Sequence, residues 1–130
     1  MTGAPAAVPR RLVPLLAAFT ALVVLTTDVY LPVLPRLGDD LATGAVGAAA
    51  TVSAVLVGIA LGQVVIGPVS DALGRRLPLL VGGAAYAAAH VLGALAPTIE
   101  LLLALRFVAG LAAAACIVVT RAIVADGFPG

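Results

Sequence analysis

Apolar residues gather into four long runs along this chain, at residues 12–34, 45–66, 77–96 and 101–124. At 1.5 Å per residue, each run is long enough to cross a hydrocarbon core of about 30 Å. Lipid offers the backbone no hydrogen-bond partners, so such runs must satisfy their own N–H and C=O groups as helices, even where Val is abundant. The pattern predicts an all-α membrane protein with four transmembrane helices. The connections fall at residues 35–40 (PRLGDD), 67–76 (GPVSDALGRR) and 96–100 (APTIE). Each is punctuated by Gly, Pro or Asp. Gly67 and Gly74 would permit a tight reversal in the second.

Composition agrees with that reading. The 130 residues are 63% hydrophobic and only 10% charged, with a mean hydropathy of +1.25. Soluble domains are about 45–50% apolar, and a water-exposed surface with this excess would be almost wholly apolar. A net charge of +1 gives no general attraction to nucleic acid. The lone cysteine, Cys116, lies in an apolar run. It can form no internal disulfide and no metal site by itself, and reads as a small packing residue. No nucleophile–base pair, metal-ligand cluster or cofactor motif is present, so the chain does not read as an enzyme.

The arginines set an orientation. Arg10, Arg11, Arg75, Arg76 and Arg121 fall on one side of four crossings, and Arg36 alone connects on the other. Under the positive-inside rule both termini are expected in the cytoplasm. The first run is long, lacks a small-x-small cleavage site after it and is followed by three more, which argues against a cleaved signal peptide. Gly58 and Gly62, with Gly82, Gly83 and Gly93, are small residues that let helices approach closely in lipid.

Three ionisable residues fall inside the runs, where charge is costly and marks a candidate functional site. Asp28, His90 and Arg106 each lie about six or seven residues from the outer end of their run, about 10 Å below the membrane boundary. Asp28 and Arg106 would meet if the first and fourth helices adjoin, and pairing would lower the cost of both charges. Such a pair suits proton coupling, because an apolar site and a nearby Arg act on a carboxyl in opposite directions. The alternatives are structural. Asp28 would then be a helix-end residue reaching toward water, and Arg106 a hydrogen-bonder to helix backbones. His90 would be a packing residue. Gln63, Thr26 and Thr27 read as interhelical hydrogen-bond residues, and Tyr30 as an interface or cavity residue. Pro32 and Pro35 bend or end the first helix.

GPVSDALGRR resembles the signature loop of the major facilitator superfamily, roughly G-x-x-x-D-[RK]-x-G-[RK]-[RK]. Gly67, Asp71, Gly74, Arg75 and Arg76 match, while Ala72 stands where a basic residue is usual. LRFVAG, residues 105–110, resembles the fourth-helix motif R-x-x-Q-G of proton antiporters at Arg106 and Gly110, with Ala109 in place of Gln. TDVYLPVLP, residues 27–35, is similar to the first-helix pattern of Bcr/CflA multidrug exporters. The resemblance covers nearly the whole chain. It implies part of the N-terminal six-helix half of a twelve-helix fold, in a bacterial inner membrane. It also implies a drug:proton antiporter exporting small amphipathic compounds. Asp28 and Arg106 would then line the cavity and couple protons. Asp71, Gly74, Arg75 and Arg76 would brace the outward-facing state against the second half. Four helices lack that half, so residues 1–130 are expected to be an N-terminal fragment that does not transport alone, its partners being the bilayer, the substrate with protons, and the missing helices.

Two other readings stand beside this one. A four-helix small multidrug exporter acting as a dimer has about this length, but resembles a first-helix Glu and Trp residues that this chain lacks. The third is a structural or regulatory membrane subunit with no transport of its own, against which charges within the membrane argue modestly.

Overall fold

A computed structural model describes residues 12–127, all helix and short turns. The Arg10–Arg11 pair lies outside the described residues. α1 (Leu12–Tyr30) leads through a 3₁₀ turn (Leu31–Val33) into the short α2 (Leu34–Asp40). α3 (Gly44–Leu73), α4 (Arg76–Ala94) and α5 (Ile99–Gly127) follow. Four helical spans are long and apolar enough to cross a membrane, with α1, the turn and α2 forming the first.

The bend in the first span follows from its prolines. Pro32 and Pro35 each stand in the first turn of a new helical segment, where a missing N–H costs little. The chain therefore stays helical through Asp40, beyond the end of the first apolar run. The reversal takes residues 41–44, where Ala42 and then Gly44 take positive φ. Thr98 starts α5 by accepting a hydrogen bond from the Leu101 N–H at 3.4 Å, and Glu100 places an acid in the first turn, where the helix dipole favours it.

α5 is the centre of the molecule. Half of its span is buried, against 12–17% of the others. It packs extensively on α3 and α4, whereas α1 touches it lightly. The contact face of α5 is a stripe of small residues, Ala109 and Ala112 to Cys116, nearly all inaccessible. Opposite it, Gly58 meets Phe107 O and Gly110 Cα, while Gly62 meets Ala114 Cβ and Leu111 O. The paired positions advance together, so α3 and α5 run parallel. Gly82 meets Ala115 and Gly93 meets Leu102, so α4 runs antiparallel to α5. The large aliphatics point outward: Val46, Val64, Val91 and Leu95 are each more than half exposed. That inversion suits a lipid surround, where small residues let backbones approach and bulky ones face the acyl chains. Cys116 is buried, in keeping with a packing role.

Candidate functional site

Tyr30 ends α1, just before the proline bend. Its hydroxyl lies 2.8 Å from Thr51 Oγ1 on α3. Thr51 is fully buried and donates its own proton to Ala48 O at 2.6 Å. A hydroxyl has a single proton, so Tyr30 is the donor of the pair. The Tyr30 ring then carries the Arg106 guanidinium, with Cζ 3.4 Å from the ring centroid. Attraction between cation and ring is strengthened away from water, and at that distance the flat guanidinium lies against the ring face. Three helices are thereby tied at one point: α1, α3 and α5.

α4 supplies the facing wall. His90 Nδ1 lies 2.9 Å from Tyr86 O, one turn earlier. A carbonyl only accepts, so Nδ1 carries the proton in this bond. The His90 and Tyr86 rings pack at 4.3 Å between centroids, tilted by 45°. Thr26 and Arg106 are polar neighbours of Tyr86. Between these walls lies a cavity of about 360 Å³, lined among others by Tyr30, Asp40, His90, Leu105, Arg106 and Ala109.

Tyr30, His90 and Arg106 thus line one cavity; His90 and Arg106 belong to the trio expected at one depth, and Tyr30 takes the place expected of Asp28. Asp28 does not join them. It is exposed on α1 and absent from the cavity lining. Successive residues turn by about 100° around a helix, so Asp28 and Tyr30, two apart, point about 200° away from each other. The facing position goes to Tyr30, and Arg106 takes an aromatic partner in place of the expected carboxylate. Gln63 is exposed on α3 rather than bridging helices. Thr26 bonds back to Leu22 O at 2.7 Å within α1 and also reaches the Tyr86 side chain on α4, the interhelical role expected of it. Gly110 serves packing: a Cβ there would meet Val55 O and Gly58 Cα. Thr51 is the site residue that the sequence reading passed over. Its signal was its spacing, seven residues before Gly58 on the buried stripe of α3.

The charged connection is built differently from the expected loop. α3 continues through Gly67 and Pro68 to Leu73, so the first seven residues of GPVSDALGRR belong to α3. Gly67 does not reverse the chain. It precedes Pro68, where the ring crowds any Cβ on the residue before it. The reversal belongs to Gly74, at φ 81° and ψ 162°, a region essentially restricted to glycine. Asp71 pairs with Arg75 at 2.7 Å. Arg75 also donates to Ser70 Oγ at 2.9 Å, and Ser70 donates to Gly67 O at 2.9 Å. Asp71 sits where the helix C-terminus disfavours an acid, and Arg75 offsets that. Arg76 begins α4 and is exposed. Arg121 is exposed near the same end of the bundle, and Arg36 lies at the opposite end.

A bundle of membrane-length helices with bulky residues outward, small residues inward and a guanidinium in a cavity defines a multi-pass membrane protein with an internal polar site. The model of the Major Facilitator Superfamily matches residues 16–130. The chain belongs to this family of membrane transporters. It is 44% identical over 82% of its length to an uncharacterised MFS-type transporter, YdgK, of Bacillus subtilis strain 168, of which it covers 26%. It is 42% identical over 89% of its length to a chloramphenicol resistance protein of Pseudomonas aeruginosa, covering 28% of that protein. It is 38% identical over 76% of its length to the multidrug resistance protein MdtL of Escherichia coli O139:H28, covering 25%. The chain therefore spans about a quarter of the length of the curated relatives it matches. No solved structure matches it.

Proposed function

We propose that this chain forms part of a drug:proton antiporter that exports small amphipathic compounds across a bacterial inner membrane, with its Arg75–Arg76 end in the cytoplasm. The observation that carries the reading is the cavity of about 360 Å³ around Arg106, walled by Tyr30 and His90. Small-molecule sites are typically concave, mostly apolar and furnished with a few convergent polar groups. The names of two relatives, a chloramphenicol resistance protein and a multidrug resistance protein, support a drug-like cargo.

Asp28 and Arg106 are the charged groups of this scheme. A carboxyl loses its charge on taking up a proton, so its attraction for Arg106 changes with proton occupancy. Arg106 rests on Tyr30 while Asp28 is turned away, and a movement of α1 that presents Asp28 would exchange one partner for the other. Alternating access requires one body rocking against another around a midplane site. The scheme therefore calls for helices beyond these four, and Asp71, Gly74, Arg75 and Arg76 form the end that docks against them.

The test is proton-driven efflux of a fluorescent amphipathic dye from membrane vesicles. In a transporter containing this chain, Asp28→Asn is expected to reduce efflux to background, and wild-type efflux in that variant would sink the coupling scheme. Vesicles holding these 130 residues alone are expected to show none, and efflux there would remove the need for further helices.

A further inference from the structure

Arg106 has more hydrogen-bonding capacity than the structure uses. Its contact with the Tyr30 ring at 3.4 Å engages the flat face of the guanidinium. The five N–H donors lie around the edge, in the plane of the group. Among the described residues none accepts a hydrogen bond from Arg106, and the only ion pair, Asp71–Arg75, is at the far end of α3. Arg106 is half-buried and lines the cavity. The cavity therefore holds a fixed cation with an unclaimed fork of donors, next to aromatic surface on Tyr30 and His90.

We infer that the cavity binds planar aromatic acids, the carboxylate taking the edge of Arg106 and the ring lying along Tyr30 and His90. The inference deepens the reading of this cavity as the substrate site and rests on it. A carboxylate matches the guanidinium fork with two parallel hydrogen bonds. An organic cation, the other common amphipathic class, would share the space with Arg106 against like-charge repulsion. The acid nearest the cavity, Asp40, is exposed at its rim, where water and salt screen it. Asp28 is outside the lining.

The experiment measures equilibrium binding to the chain in lipid nanodiscs by calorimetry, with three probes that share one ring: 1-naphthoate, 1-naphthamide and 1-naphthylmethylammonium. Naphthoate is expected to bind at least about tenfold tighter than the ammonium. Arg106→Gln should weaken naphthoate about 10- to 100-fold, as for loss of a charge-assisted pair, while naphthamide changes less than about threefold and reports an intact cavity. Arg106→Lys keeps the charge and loses the planar fork, so it decides the matter if the first variant does not fold. It should cost naphthoate about tenfold. Tighter binding of the ammonium to the wild-type chain, or naphthoate affinity unchanged in either variant, overturns the inference. No proton gradient is involved, so a failure of proton coupling leaves this result standing. Naphthoate that binds but is never exported counts against the export reading alone.

Discussion

At the scale of single residues, the tightest joint is Gly58 against Gly110. A Cβ on Gly58 would strike Phe107 O and the Gly110 backbone, and one on Gly110 would strike Val55 O. Backbone cannot swing aside as a side chain can. Gly110→Ala is therefore expected to force α3 and α5 apart at a cost of about 1–3 kcal/mol, read as a lowered midpoint of thermal unfolding in detergent. A shift within error would show that the helices repack freely. The same scale shows where sequence reading stops. Depth is arithmetic along one axis, and His90 and Arg106, counted to one level, do line one cavity. Which way α1 is turned about its axis is decided by packing. Thr51 captures the Tyr30 hydroxyl, and that contact turns Asp28 outward.

At the scale of elements, the two glycines of GPVSDALGRR have different duties. Gly74 holds a conformation that other residues reach only under strain, costing about 1–3 kcal/mol. Gly67 is helical, and apart from the adjoining Pro68 ring its Cβ position is open. Gly74→Ala should thus lower the unfolding midpoint clearly more than Gly67→Ala, and the reverse order would mean that the turn lies elsewhere. The four spans were legible because each apolar run matches a membrane crossing. Their ends were not. Pro and Gly read as breaks in a linear pattern, yet Pro32, Pro35 and Pro68 all fall within continuous helical paths. Prolines in the first turn of a segment break nothing, and at Pro68 the Ser70 hydroxyl bonds back to Gly67 O, giving that turn of α3 a side-chain link. Asp71 and Arg75 pair across a spacing of four, one turn of helix.

For the whole molecule, the separation of Arg75, Arg76 and Arg121 from Arg36 gives an orientation that can be measured. Cys116 is buried and should resist a membrane-impermeant maleimide. In intact cells the R36C variant is expected to label, and R76C only after permeabilisation. The opposite pattern would invert the topology. One feature of the helices has a consequence for the surrounding lipid. α3 has 30 residues and α5 has 29, about 45 Å at 1.5 Å per residue, whereas α4 has 19, about 28 Å. Of these three, only α4 matches a hydrocarbon core of about 30 Å. Gly82 and Gly93 seat α4 on α5 at two levels, so the short helix sets the depth and its long neighbours must tilt or project. Bilayer thickness thereby becomes a control variable. Thermal stability should peak in lipids whose acyl chains match α4 and fall on the thicker side, where α4 no longer spans.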